Sequence, residues 1–201
     1  PSPSVQWAKM FGSATGGVAS TNGKTIAVVA DPSNAGKEQV VVAGSFVGTV
    51  DFKKGAPLTA SAGLRGFILA LDPATGETSW VRELHGANDE GTTVSELATA
   101  ANGHVFHAGR SDDTIVFGEY DAAGNPMGST STPTPAGESC HASGLVVDDE
   151  GLLSTWWCAN KTKCSPCPPG NQFFHLTRVK PGAAAPQWTR DYGPIDTSDP
   201  V

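Results

Sequence analysis

The chain lacks long hydrophobic runs, and charged residues are scarce. Of its 201 residues, 16% are charged, and 20 Asp and Glu outnumber 13 Lys and Arg, for a formal net charge of -7. No apolar stretch approaches the ~20 residues that a membrane-spanning helix needs. Because the acidic balance comes without a basic stripe, we expect no nucleic-acid partner and no attachment to anionic membranes.

A helical hydrophobic period is also missing. Short apolar runs alternate instead with turn-forming residues, and the chain carries 24 Gly and 15 Pro. Runs of this length between Gly, Pro, Asn and Asp are typical of β-strands joined by turns. The sequence therefore predicts an all-β fold.

Recognisable catalytic motifs are absent from the sequence. We find no G-x-S-x-G, no H-E-x-x-H and no phosphate-binding glycine loop. His104 and His107 have odd spacing on a predicted strand and therefore face opposite sides, which argues against joint metal ligation. No residue is assigned as catalytic or as a metal ligand, and the chain is not expected to be an enzyme, although the question stays open.

The most informative segment is a strand, a polar turn and a second strand that reaches a tryptophan. It follows the pattern A-x-D-x-x-T-G-x-x-x-W, carried by Ala70, Asp72, Thr75, Gly76 and Trp80. The Asp favours local hydrogen bonding, and the Gly accepts a positive φ. This spacing resembles the tryptophan-docking turn of quinoprotein-type β-propellers, and the resemblance implies four-stranded blades.

A second resemblance covers the segments 42–52, 58–63 and 67–72. They are similar to repeats of large secreted bacterial β-propeller proteins, in which a "GSF-GTVDF" segment lies between the second and third strands of a blade. This resemblance also implies a propeller, here of an exported bacterial protein.

Weaker copies of the docking turn recur along the chain. Segment 117–127 keeps Asp121 and Gly124 but lacks the tryptophan, and the interval from Lys180 to Trp188 repeats that from the docking Asp to its Trp. An isolated copy of the outer strand, 5–10, contains Trp7. These marks divide residues 1–201, taken as a single propeller segment, into an orphan strand (5–10) and three blades (24–83, 93–130 and 140–190). The predicted strands are 25–30, 39–44, 66–71, 78–83, 93–98, 104–108, 114–120, 126–130, 142–147, 152–158, 172–179 and 187–190.

About three blades cannot close a ring, because propellers typically have about 4–8. An open arc leaves apolar blade faces that seek partners. The remaining blades of a larger chain, further copies of this chain, or strand addition to a neighbour would cover them. Both ends look like linker or loop, which slightly favours excision from a larger propeller.

The four cysteines are even in number and lie in the last third of the chain. Pairing about the turn 148–151 places Cys140 nearly opposite Cys158, and Cys164 and Cys167 would close a small loop. Sequence leaves three connectivities open. Structural disulfides are favoured over a four-thiolate zinc site or a redox C-x-x-C, and they indicate export to the periplasm, the cell surface or the extracellular space.

Two further groups of residues are candidates for ligand contact. Trp156 and Trp157 are adjacent on a strand and should point to opposite faces, and an exposed one, like Trp7, would contact a protein or glycan partner. We expect neighbouring blades and the loop 159–171 to cover both. Carboxylates cluster at 89–90, 112–113 and 148–150, all in predicted turns. Calcium there is a minor alternative because none shows the D-x-[DN]-x-[DN]-G order, and no other cofactor is expected.

The sequence thus predicts a non-catalytic, exported β-propeller segment that acts as a scaffold or as a binding or assembly surface for protein or glycan partners. The alternative is a fragment of a quinoprotein-type dehydrogenase. In that family pyrroloquinoline quinone lies on the axis of a complete eight-bladed ring, and this chain shows no match for the calcium-binding residues. Likeness of fold does not by itself carry an activity across.

Overall fold

The structure, a computed structural model, describes residues 7–13, 19–30, 37–84, 91–160, 172–180 and 182–193. Within these ranges β-strands are the only regular secondary structure. The strands are β1 (Gly12–Ser13), β2 (Ser20–Ala30), β3 (Glu38–Asp51), β4 (Leu58–Leu71), β5 (Thr78–Leu84), β6 (Thr92–Thr99), β7 (Val105–Ser111), β8 (Thr114–Tyr120), β9 (Pro126–Pro133), β10 (Glu138–Asp148), β11 (Gly151–Asn160), β12 (Gln172–Val179) and β13 (Trp188–Tyr192).

These strands form three antiparallel sheets, each ordered as in the sequence. The first sheet contains β2 to β5, with the short β1 paired to the far end of β3. The second contains β6 to β9, and the third contains β10 to β13. The predicted all-β fold of four-stranded antiparallel meanders is confirmed. The sheets do not close on themselves within the described residues, and their identity as propeller blades stays a prediction.

The first sheet differs from the prediction in the length of its central strands. β3 continues past residue 44 to Asp51, and β4 begins at Leu58, well before residue 66. The segment 42–52 is therefore mostly strand and not a connection between strands. A bulge between Phe46 and Gly48 shifts the register and lets the pairing resume, with Thr49 opposite Thr59. The predicted orphan strand is also different, because residues 7–11 form no strand, while residues 5–6 lie outside the described ranges.

Two apolar layers join the three sheets in series. Between the first and second sheets, Val41, Ile68 and Trp80 pack with Val94 and Tyr120. Between the second and third sheets a similar cluster forms, which contains Phe106, Ala108, Ile115, Phe117, Ala142, Leu152, Trp156 and Val179. The first strand of each later sheet lies against the sheet before it, since β6 contacts β2 to β4 and β10 contacts β6 to β8.

The outer face of the first sheet, which points away from the second sheet, is partly covered by the chain's own N-terminal segment. Phe46, Phe52 and Phe67 are buried there, and Trp7 and Phe11 pack against this cluster. The cover is partial, because Ile26 and Val28, which pair opposite Val42 and Val40 of this cluster, stay 68% and 53% exposed.

Candidate functional site

The first docking turn, residues 72–77, is held by its aspartate. Asp72 Oδ1 accepts bonds from the backbone N–H groups of Ala74 (2.8 Å) and Thr75 (2.9 Å) and from the Thr75 hydroxyl. These donors favour the ionised form, so the pKa of Asp72 lies below its ordinary value. Gly76 has a φ of 67°, and its missing side chain makes room for a ring.

That ring belongs to Trp7. The Trp7 indole N–H donates to the Pro73 carbonyl over 2.8 Å. A Cβ added to Gly76 would lie 2.7 Å from Trp7 Cδ2, so the indole rests directly on the glycine. The tryptophan of the N-terminal segment thus docks on a turn of the first sheet.

The second docking turn, residues 121–125, has the same construction. Burial opposes ionisation of Asp121, but bonds from Asn125 and Ala123 outweigh it, and the pKa lies below its ordinary value. Here the docked ring is Trp80, whose N–H donates to the Ala122 carbonyl over 3.0 Å. A Cβ on Gly124 would lie 2.5 Å from Trp80 Cδ2.

Arg82 strengthens this second contact. Its Nε donates to the Gly124 carbonyl over 2.6 Å, and its guanidinium carbon lies 6.0 Å from the Trp80 ring centroid. Trp80 therefore docks on the turn of the following sheet and not on the turn that precedes it in sequence. The motif joins neighbouring sheets.

At the junction between the second and third sheets, a glycine takes the strand position that Trp80 has in the first sheet. Gly128 stands opposite Glu119, as Trp80 stands opposite Ala70. A Cβ on Gly128 would lie 3.1 Å from Gly182 Cα, so this pair of sheets meets backbone to backbone. The Thr130 hydroxyl donates to the Ala183 carbonyl over 2.6 Å and replaces the arginine contact.

The last strand of the third sheet has a tryptophan, Trp188, at the position equivalent to Trp80. No docking turn in the described ranges contacts its ring. Trp188 stands opposite Arg178 in β12, and Arg190 lies with its guanidinium carbon 5.3 Å from the Trp188 ring centroid. The pair Trp188 and Arg190 thus repeats the pair Trp80 and Arg82. Among the described residues no carbonyl accepts the Trp188 indole N–H.

The outward-facing residues of the third sheet form one surface, which we call the open face. Register places Val146 beside Leu153 and Trp157 beside Phe174, while Phe174 stands opposite Tyr192. The exposed fractions of its outermost members are 60% for Val146, 37% for Trp157, 37% for Trp188 and 46% for Tyr192. Its other members are Leu153, Phe174, Leu176, Arg178 and Arg190. These side chains place apolar and aromatic groups side by side at the surface.

The predicted disulfide and tryptophan positions are found in this sheet. Cys140 and Cys158 stand opposite each other and form a disulfide, while Cys164 and Cys167 lie outside the described residues. Trp156 is buried, donates to the Thr177 hydroxyl and stacks on His175 at 3.9 Å between ring centroids. Trp157 is exposed, and the loop 159–171 that was expected to help cover it lies mostly outside the described residues.

A group of possible metal ligands lies on the inner side of the same sheet. One ligand atom each of Glu138, Cys158 and His175 lies within 4.8 Å of the others, and Asp191 bonds His175 Nδ1 over 2.7 Å. Because Cys158 is bound in the disulfide, it offers no thiolate. Of this group, His175 and Glu138 are left as ligands, and Asp191 is already bonded to the imidazole, so the described residues offer fewer than the usual four ligands of structural zinc.

Two cavities lie away from the open face. One of about 540 Å³ is lined by β2, β3, β6 and His141, and burial within it raises the pKa of Glu96. Another, of about 920 Å³, contains His107, whose burial lowers its pKa to about 4. His107 lies against Gly118 and Tyr120, and no described hydroxyl or carboxylate bonds to it. Neither cavity shows a nucleophile activated by a base.

Comparison with known proteins finds no matching family model, no matching curated protein and no matching solved structure. In the described part of the chain, no helix has the length and apolar character to cross a bilayer.

Sequence reasoning identified the first docking turn but did not recognise Trp188 as a contact residue. The available signal was a tryptophan followed two residues later by a basic residue, which occurs as Trp7 with Lys9, Trp80 with Arg82, and Trp188 with Arg190. Which turn each ring meets depends on how the sheets pack, and the local sequence does not contain that information.

Proposed function

We propose that this chain is a non-catalytic, exported scaffold segment whose three sheets are blades of a β-propeller-type arrangement, and whose open face binds a further blade-like protein surface. The observation that carries the proposal is the exposed pair Trp188 and Arg190, which repeats the pair that joins the first sheet to the second.

The junctions support the propeller arrangement. A residue at one fixed position of the last strand contacts a turn of the next sheet, through Trp80 in one junction and Gly128 in the other. Successive sheets that are joined by one repeated contact are expected in an array built from similar units.

The composition of the open face favours a protein partner over a glycan. Aromatic rings suit either, but Val146, Leu153 and Leu176 extend the surface with aliphatic side chains that a sugar would leave poorly covered. The disulfide between Cys140 and Cys158 supports an oxidising compartment and hence export.

The positions of the docking turns and of the two cavities do not favour the dehydrogenase alternative. The first docking turn holds the N-terminal segment and the second joins two sheets. The residues of neither turn line the cavities of about 540 and 920 Å³. The two turns therefore support a shared architecture and say nothing about a reaction.

Sedimentation velocity of the purified chain over a range of concentrations tests the proposal. We expect concentration-dependent association of the unaltered chain, and its loss in the double variant Trp188→Ala, Tyr192→Ala. Met127→Ala is the matched control, because Met127 is exposed on β9 of the second sheet, away from the open face and from the outer face of the first sheet. A monomer at every concentration, or association that survives the double variant, would contradict the proposed role of this face.

A further inference from the structure

We propose that the open face docks head-to-tail on the outer face of the first sheet of a second copy, with Trp188 seated on that copy's first docking turn in place of its Trp7. The inference rests on the proposed function and names the partner of the open face.

The donor side is already arranged for such docking. Trp80 and Trp188 occupy equivalent strand positions, and in each case an arginine two residues later lies over the ring, at 6.0 and 5.3 Å from the centroid. The docked pair uses its indole N–H and its guanidinium on turn carbonyls. Trp188 and Arg190 offer the same donors in the same order, so the surface they fit is a turn with a bare glycine and free carbonyls.

The acceptor side is the first docking turn, because its present occupant is exchangeable. Trp80 is fixed in β5, which is paired along its length with β4. Trp7 instead lies in a stretch, residues 7–11, that pairs with no strand, and its indole is bonded to Pro73 alone. The first turn also has all three motif residues, Asp72, Thr75 and Gly76, so a tryptophan of a second copy could bind it as Trp7 does.

The two faces are also complementary in composition. The outer face of the first sheet has a buried phenylalanine cluster and, beside it, the exposed aliphatic side chains of Ile26 and Val28, which suit the aromatic open face. Asp72 carries a negative charge at neutral pH, as an aspartate with an ordinary or lowered pKa does, and Lys9 now lies beside Gly76. Arg190 would place the same sign of charge at that position.

Because the two faces are different surfaces, the contact is heterologous. Such contacts close into rings or continue as filaments, depending on the rotation. Two copies would place six sheets in one ring, within the range of about 4–8 that propellers use. The contact between copies would then continue the series already seen between the first, second and third sheets.

A face-to-face dimer of two open faces is the competing arrangement, and three variants separate the two. Trp188→Ala removes the donor and weakens both arrangements. Gly76→Ala places a methyl group where the docked ring lies, and it blocks only the head-to-tail contact. Trp7→Ala vacates the first docking turn and should strengthen only the head-to-tail contact, since no exchange is then needed.

The experiment is sedimentation equilibrium of the 201-residue chain and its variants, with thermal melting as the check on folding. We expect Trp188→Ala and Gly76→Ala each to weaken association at least about tenfold, as loss of an interface hot spot does, and Trp7→Ala to strengthen it. Gly55→Ala is the matched control for Gly76→Ala, because Gly55 has a φ of 73° and open space around it. If Trp7→Ala fails to fold, Trp7→Leu keeps apolar cover while removing the N–H donor.

Association that falls in Trp188→Ala but is unchanged in Gly76→Ala and Trp7→Ala would overturn the head-to-tail contact and leave the proposed function standing. A monomer for every variant and for the unaltered chain would overturn both.

Discussion

Two glycines with nearly the same backbone conformation have different surroundings in this protein. Gly124 and Gly137 have φ values of 77° and 78°, but only Gly124 lies under a ring, that of Trp80. Gly137→Ala should lose about 1–2 kcal/mol of unfolding free energy from its left-handed backbone alone. Gly124→Ala should lose a further ~1–3 kcal/mol from the displaced indole. Urea unfolding of both variants checks this, and equal losses would show that the docking contact is unimportant for stability.

His107 should make the protein sensitive to mild acid. Burial lowers its pKa to about 4 from 6.5, so between these values the unfolded chain binds a proton that the folded chain does not. Stability is therefore full above about pH 6.5 and falls as the pH drops toward 4, by about 2 kcal/mol between pH 7.5 and pH 5.

The control for this histidine effect is His107→Gln, which removes the titrating group but keeps a polar side chain. Urea unfolding at the two pH values should show a smaller loss in this variant, and carboxylates common to both proteins cancel in the comparison. An identical pH dependence in the two proteins would assign the acid sensitivity to other groups.

At the scale of elements, the disulfide ties the two strands of the β10–β11 hairpin. Cys140 and Cys158 are 18 residues apart and fully buried. A loop of this length restricts the unfolded chain by about 3 kcal/mol in the chain-entropy treatment. The double variant Cys140→Ala, Cys158→Ala should lose about that much in urea unfolding. Ser143→Ala, on the same hairpin, should lose well under half of it, and similar losses for the two variants would contradict this account.

The hairpin about 148–151 was predictable from sequence, because a turn signal between two apolar runs fixes antiparallel register and so places Cys140 opposite Cys158. The first docking turn was predictable for a similar reason, since its bonds are local to Asp72. The lengths of β3 and β4 were not predictable from sequence. Their pairing continues beyond a bulge after Phe46, and the local sequence does not show that the two strands pair again past it.

Contacts between sheets were the least accessible to prediction. Nothing near Trp80 in sequence indicates that its ring meets Gly124, which lies 44 residues away in the next sheet. The exposure of Trp157 has the same origin, because it depends on whether another sheet packs on that side. Sequence patterns thus identify the parts of the candidate site but not their pairing.

At the scale of the whole molecule, the three sheets form a series with unequal ends. The outer face of the first sheet is partly covered by the segment that carries Trp7 and Phe11, whereas the third sheet presents exposed Trp157, Trp188 and Tyr192. Apolar layers of similar composition lie at the two internal junctions. The open end therefore has the surface of an internal junction without a neighbour in the described ranges, and burying it should contribute to folding stability.

This asymmetry predicts a melting temperature that depends on protein concentration. If the open face is buried only between copies, association stabilises the folded state by mass action. The melting temperature should then rise by about 2 °C for each tenfold increase in concentration, for a chain of this length. In Trp188→Ala the dependence should vanish, while in Met127→Ala it should persist because Met127 lies on the second sheet, away from both faces. Calorimetry over a hundredfold range of concentration measures it, and a melting temperature that stays constant in the unaltered chain would mean that the open face adds nothing to stability through association.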